Sequence, residues 1–304
     1  MIKEKITDAF YGCYWPYEGA KEAMIAMLGD DCEDYMAKRA VKWIHKNFQV
    51  SVMTLSPAHK DYGHHNMPVE RIGNAINFMK NKGIRRFAII GASTTGMLSL
   101  VAASYYPEIT LTIAMSPSDF IMEGFYRGKK DGYAEWPGDN ESTLTWQGEP
   151  LPFLPYAYRH PEYGMKLKEE AKEGGDFAAA RKMFDESERL HPVTEKEKIK
   201  VERIKGKLLL IGAEDDVLWD TARYIRRIEK RLQETPHECD PQYLVYEHGT
   251  HFVFPESFLK SLLPVGGGLF IRVFKAGKEF PAECKSTRID IDRKVTLAIN
   301  EWKI

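Results

Sequence analysis

The sequence predicts an α/β fold in which one mostly parallel central sheet carries helices on both faces, and three observations predict it. First, short apolar runs recur at Ala23 to Leu28, Val50 to Leu55, Phe87 to Ile90, Leu111 to Met115, Leu208 to Ile211 and Tyr243 to Tyr246. Runs of this length and composition suit strands covered on both faces. Second, the intervals between them hold amphipathic segments at Asp34 to Lys46, Val69 to Lys82, Thr94 to Ser104 and Thr221 to Leu232. Their apolar residues return at three- and four-residue steps, the period of a helix with one buried face. Third, this βα alternation breaks once, between Asp119 and about Val201, and resumes at KLLLIG. A break followed by the same pattern reads as an insertion into one sheet, so a single domain over 1–304 with a lid insertion over about 120–200 is expected. Within the insertion, Met165 to Glu188 is charged and helical, whereas LPFLPYAYRHP is proline-rich, aromatic and irregular.

Bulk properties narrow the function classes. With 43 Lys and Arg against 44 Asp and Glu, the net charge is −1 and the whole chain carries no electrostatic footprint for nucleic acid or an anionic membrane. The opening MIKEKITDAFYG lacks the apolar stretch of a signal peptide, and no later run is long enough to span a bilayer, so a cytoplasmic location is expected. Cys13, Cys32, Cys239 and Cys284 lie far apart without CxxC spacing and read as reduced thiols rather than a disulfide or zinc framework. The loop AHKDYGHHNMP offers His59, Asp61, His64 and His65, but their spacing matches no common zinc pattern. A polar surface loop is the preferred reading, and no metal is expected.

The chemistry is concentrated where RRFAII runs into Gly91-Ala92-Ser93 and then a helix of small residues. A serine in such a tight strand-to-helix turn has its hydroxyl pushed above the sheet edge, and the small residue two before it avoids a clash. Such a turn resembles the nucleophile turn of the α/β-hydrolase fold, which is the fold expected here. The helix N-terminus behind it favours the negative charge that grows on an attacked carbonyl, which makes the Thr94 N–H a candidate oxyanion donor. The usual G-x-S-x-G pattern has glycine two residues after the serine; here Thr95 stands there and Gly96 follows, so a plain helix N-cap at Ser93 is the competing reading.

A serine needs a general base. His251 follows QYLVYE after a short turn, near the carboxyl end of a late strand, where sites of open α/β sheets gather; His248 is the weaker candidate. The orienting acid is expected between them in chain order, and the strand KLLLIG enters the acidic turn Glu214-Asp215-Asp216. Residue chemistry alone does not separate Asp215 from Asp216. A second oxyanion donor is expected from the loop after an early strand, where Gly29 or Asp30 presents an amide, with a plain turn capped by Asp30 or Asp31 as the alternative.

In order along the chain, GASTTG, TWQGEPLPFLP, VERIKGKLLLIGAEDDVLW and YEHGTHFVFP resemble the C-terminal catalytic domain of the acyl-CoA thioesterase and bile acid-CoA:amino acid N-acyltransferase family. The likeness runs from about Ala20 to the C-terminus, including a final helix at Ser286 to Trp302. It implies Ser93 as nucleophile, Asp216, three residues before Trp219, as acid, and His251 as base. It also implies hydrolysis rather than transfer to an amine acceptor, because the transferases of the family carry cysteine where Ser93 stands. The elbow departs from the family's usual Ser-Lys-Gly-Gly, having Ser93-Thr94-Thr95-Gly96.

The expectation is therefore a serine hydrolase that cleaves an acyl thioester or carboxylic ester through an acyl-enzyme, with no cofactor and a small molecule as its partner. The lid aromatics Trp146, Phe153 and Tyr156, with Tyr158, are candidates to line an acyl pocket, although such residues also serve simply to pack a loop. An acyl transferase to an amine acceptor is one alternative, and a non-catalytic acyl-binding protein with the same fold is the alternative from a different class.

Overall fold

A computed structural model describes residues 3–57, 63–127, 135–176, 178–265 and 267–304. Its main sheet has eight strands: β1 (Glu4–Ile6), β2 (Gly12–Trp15), β3 (Glu22–Met27), β4 (Ser51–Leu55), β5 (Arg86–Ala92), β6 (Ile109–Met115), β7 (Lys205–Ala213) and β8 (Glu238–Tyr246), in the spatial order β1-β2-β4-β3-β5-β6-β7-β8. Strand β2 runs antiparallel to β1 and β4, and all other neighbours are parallel. The six apolar runs of the sequence are β3 to β8. The short antiparallel edge, β1 and β2, has no comparable apolar run to announce it.

Helices α1 (Tyr35–Phe48), α2 (Glu70–Asn81), α3 (Thr94–Tyr105) and α6 (Thr221–Glu234) fall on the four expected segments, and the short α9 (Lys275–Glu279) precedes α10 (Pro281–Lys303), the C-terminal helix. Alternation along the strands sorts the core into two layers. Ile25, Ile89 and Leu210 face α2, α3 and α6 through Ile76, Val101 and Ile225. Met24, Ile90 and Ile211 face α1, α10 and α7 (Glu256–Leu262) through Ile44, Ile299 and Phe258. A sheet so covered buries both faces, which is why its central strands are mostly apolar on both sides.

The insertion between β6 and β7 contains α4 (Glu162–Gly174) and α5 (Arg181–Leu190). They divide the segment read as one helix because Gly175 takes a left-handed conformation, φ 65°, and ends α4. The insertion also holds strands that the sequence did not reveal: Glu123–Arg127 pairs antiparallel with Glu135–Ser142, and Leu144–Trp146 pairs with Glu149–Pro150 and, in parallel, with Met67–Pro68. These runs carry Gly, Pro and charge, so side-chain pattern does not mark them. The base of the insertion is tied to α6 by Arg227, which reaches Asp119 at 2.5 Å and Glu188 at 2.6 Å. Burial pushes the Asp119 carboxyl up, and the Arg227 guanidinium opposes the rise.

Sheet register is what positions the site. Met27 pairs with Gly91, Ala92 with Met115, Met115 with Ile211, and Ala213 with Tyr246. The carboxyl ends of β3, β5, β6, β7 and β8 therefore lie at one rim, and the residues that follow them are neighbours. Gly206 allows β6 and β7 to approach: it has φ +73°, and a Cβ there would sit 2.2 Å from the Thr110 carbonyl oxygen. Gly206→Ala is expected to lower stability by about 2 kcal/mol or more, combining the cost of a left-handed alanine with that clash. Urea denaturation followed by circular dichroism measures it.

Candidate active site

Ser93 stands between β5 and α3 with φ 61° and ψ −131°. A non-glycine residue in that region costs on the order of 1–3 kcal/mol and persists only where its surroundings enforce it. Here the Ser93 N–H donates to Met115 O at 2.9 Å, while Ser93 O accepts from Gly96 N at 2.9 Å and Met97 N at 3.1 Å. Two glycines supply clearance. A Cβ on Gly91 would lie 2.1 Å from Thr95 O, and one on Gly96 would lie 2.6 Å from Met115 O. The turn thus obtains its second close approach, to the end of β6, from the glycine three residues after the serine.

Thr95, the residue that departs from G-x-S-x-G, is buried and fills its space with hydrogen bonds. Its hydroxyl lies 2.5 Å from Met27 O and 2.8 Å from Ala92 O, and accepts from the Ala92 N–H at 3.0 Å. The extra side chain thereby ties the elbow to the end of β3.

At the same rim, His251 Nδ1 lies 3.0 and 2.9 Å from the two carboxylate oxygens of Asp216, and both side chains are fully buried. An ionised carboxylate only accepts, so Nδ1 carries the proton and Nε2 is left as an acceptor. Asp216 is held in turn by the Leu218 N–H at 3.0 Å and by the Thr221 hydroxyl at the start of α6. Ser116 Oγ donates to His251 O at 2.6 Å, and the Trp219 ring stands edge-on to the imidazole at 4.6 Å. Asp215 turns elsewhere, to His248 Nδ1 at 2.9 Å, and this hydrogen bond raises the His248 pKa above the ordinary imidazole value. Of the two adjacent acids, Asp216 is the one that meets His251.

Ser93 and His251 line one cavity of about 660 Å³, in which Thr94, Gly29 and Asp30 also take part. Among the described residues, His251 Nε2 is buried without a hydrogen-bond partner, so the serine hydroxyl lies in the same cavity without being bonded to it. Apo active sites commonly show such loose contacts between nucleophile and base.

The loop after β3 corrects one expectation. The Asp30 N–H donates to Asp34 Oδ2 at 2.8 Å, as the Asp31 N–H does at 3.2 Å, while Asp34 Oδ1 caps α1 through Ala37 N at 2.7 Å. Asp30 is thus not a free oxyanion donor, and the helix cap is Asp34 rather than Asp30 or Asp31. Gly29 packs directly over that cap, where a Cβ would fall 2.5 Å from Asp34 Oδ1.

The cavity wall corrects another. Tyr156 lines it, as expected, but Trp146 and Phe153 do not. Trp146 packs on Tyr105 at 4.5 Å and Tyr106, at the far end of α3, about 16 Å along the helix from the elbow. Phe153 packs against the core, and Lys166 covers Tyr158. The aromatic wall comes instead from Phe125, Tyr163 and Phe184 of the insertion with Trp219 and Phe252. Tyr163 and Phe184 sit in helices dominated by charge, where a single inward aromatic gives little periodic signal.

Of the histidine-rich loop, His59 and Asp61 lie outside the described residues. His64 Nε2 is 3.2 Å from Asp30 Oδ1, and His65 Nδ1 is 3.1 Å from Glu141. Among the described residues, the one cluster with metal-ligand geometry is Cys13, Cys32 and Glu33. The thiols, distant in sequence, are brought to 3.6 Å, and Glu33 is paired with Lys5 at 2.5 Å.

Fold and rim together define the class of the α/β hydrolases. Over its whole length the chain is similar to the esterase Pf2001 of Pyrococcus furiosus, with 13% identity, 92% of that chain covered and a TM-score of 0.50. It is also similar to Est1E from Butyrivibrio proteoclasticus, with 9% identity, 97% of this chain and 98% of that one covered, and a TM-score of 0.41. Nothing among curated proteins matches it. Residues 67–259 match the family described as BAAT / acyl-CoA thioester hydrolase C terminal, and the chain belongs to that family.

Thr95→Val is expected to cost about 1–3 kcal/mol, because it removes the buried hydroxyl bonded to Met27 O and Ala92. Thr95→Ser keeps that hydroxyl and should lose less. Chemical denaturation of both variants tests this.

Proposed function

We propose that the protein is a serine hydrolase of acyl thioesters or carboxylic esters, and that it works through an acyl-enzyme on Ser93. The observation that carries this reading is the buried His251–Asp216 pair, whose Nε2, unpartnered among the described residues, shares an aromatic-walled cavity with the strained Ser93 turn. The cavity volume is in the range of small-molecule sites, and its apolar wall suits an acyl chain.

In this mechanism Ser93 Oγ attacks the acyl carbonyl carbon while His251 Nε2 takes the hydroxyl proton, and Asp216 stabilises the resulting imidazolium. The negative oxygen is held by the Thr94 N–H at the start of α3 and by the Gly29 amide. The Asp30 amide, bonded to Asp34, is excluded from that role. Collapse breaks the C–S or C–O bond, and the leaving group departs with the proton returned by His251. Water, deprotonated by the same imidazole, attacks the Ser93 ester and releases the acid. The two contacts of Asp216 to Nδ1 support its role as orienter, and the family resemblance, in which transferases carry cysteine where Ser93 stands, supports water as the acceptor.

A fluorophosphonate probe is expected to label the protein at a stoichiometry of one, and Ser93→Ala to abolish the label. A folded wild-type protein that takes no label would favour a non-catalytic acyl binder. In a hydrolysis screen over acyl-CoA and nitrophenyl esters of graded length, Asp216→Asn should depress kcat by about 10⁴-fold, as expected when the imidazole loses its tautomer.

A further inference from the structure

The near-neutral balance of the whole chain conceals a local excess of positive charge. Between residues 260 and 288 there are six cations, Lys260, Arg272, Lys275, Lys278, Lys285 and Arg288, against two acids, Glu279 and Glu283. Four of the cations, Lys260, Arg272, Lys285 and Arg288, line a pocket of about 420 Å³ together with Gly267, Gly268 and Ile271, and its one acidic wall residue is Glu256. That carboxylate is already shared, by Arg288 at 2.9 Å and Lys260 at 3.6 Å. Arg272 and Lys285 are exposed and have no acidic partner among the described residues. Two unpaired cations on a concave wall repel each other and attract an anion.

The same stretch exposes apolar side chains that nothing covers. Val265 is 91% exposed, Leu269 70% and Val273 42%, and they surround the short helix α8 (Gly267–Ile271). Leaving three aliphatic side chains in water is unfavourable unless another apolar phase takes them up, and cations beside them select the kind of surface. Beneath them, Phe270 and Phe274 pack on Phe252 at 5.9 and 5.4 Å, and Phe252 lines the cavity that holds Ser93 and His251.

We propose that the face formed by residues 260–265 and 267–288 docks the protein on an anionic lipid bilayer, with a lipid phosphate in the pocket of Arg272 and Lys285 and with Val265 and Leu269 in the acyl boundary. In a zwitterionic bilayer each lipid phosphate is offset by the cation of its own headgroup, so the surface has no net negative charge to draw this pocket in. A soluble phosphate gives no partner to the exposed aliphatic side chains, and a bilayer with acidic headgroups satisfies both features at once. The docking is independent of whether Ser93 turns over a substrate. Its consequence for the proposed chemistry is proximity, since the face adjoins the wall of the reaction cavity through Phe252.

The test is co-sedimentation of the whole chain with vesicles of phosphatidylcholine, with and without phosphatidylglycerol, at low and high salt. Binding is expected only with phosphatidylglycerol and should weaken as salt screens the surface. Arg272→Gln with Lys285→Gln should weaken binding by about 30-fold, and Val265→Ser with Leu269→Ser should weaken it at constant charge. Circular dichroism melting confirms that both double variants are folded. The proposal is overturned if the wild-type protein stays in the supernatant with anionic vesicles, or if it binds neutral vesicles equally. It is also overturned if folded variants of both kinds bind like wild type, or if inorganic phosphate occupies the pocket with no vesicle binding.

Discussion

The site depends on a backbone conformation that a serine does not adopt freely. Ser93 is held at φ 61° because the strand before it and the helix after it leave no other path, and because Gly91 and Gly96 let Thr95 O and Met115 O come close. Everything else at the rim is arranged around that turn. The Ser93 amide bonds to the end of β6, and the Thr95 hydroxyl bonds to the end of β3. Ser116, the next residue after β6, accepts from Trp219 Nε1 at 3.2 Å and donates to His251 O. His251, in the loop after β8, is thus placed by hydrogen bonds from the ends of two other strands, from Ser116 after β6 to its backbone and from Asp216 after β7 to its ring, each brought there by the register of one sheet. A strained turn braced from both neighbouring strands is rigid, and rigidity is what an attacking hydroxyl needs.

Much of this was legible because parallel sheets write themselves plainly. Strands β3 to β7 are covered on both faces and so read as apolar runs, while the edge strand β8 is half-buried and shows only the short run Tyr243 to Tyr246; the chain order of Ser93, Asp216 and His251 follows from loops at their carboxyl ends. The choice between Asp215 and Asp216 was beyond residue chemistry, since adjacent acids differ only in which way the turn points them. The resemblance to a known family favoured Asp216, and the coordinates show it meeting His251 while Asp215 meets His248. The Asp30 amide is illegible in sequence for a similar reason. A backbone amide has no side-chain signature, and its capture by Asp34 is visible only in three dimensions.

The insertion was the least legible part. Its short strands mix Phe125, Tyr126, Trp136, Leu144 and Trp146 with charge, glycine and proline, so no apolar run marks them, and its two helices carry few apolar residues. Trp146 and Phe153 looked like a pocket wall because they are aromatic and near prolines, yet they pack on Tyr105 and on the core. Tyr163 and Phe184, which do face the cavity, are isolated among lysines and glutamates. Composition identifies an insertion; which of its aromatics turns inward is decided by anchors such as Arg227 with Asp119 and Glu188.

The most direct measurement of the central claim is the site of covalent attachment. The protein would be mixed with an acyl thioester, quenched in acid within the first turnover, digested and mapped by mass spectrometry. The account predicts one acyl group per chain, on the peptide that contains Ser93. An acyl group on another residue, or full-rate hydrolysis by folded Ser93→Ala protein, would contradict it.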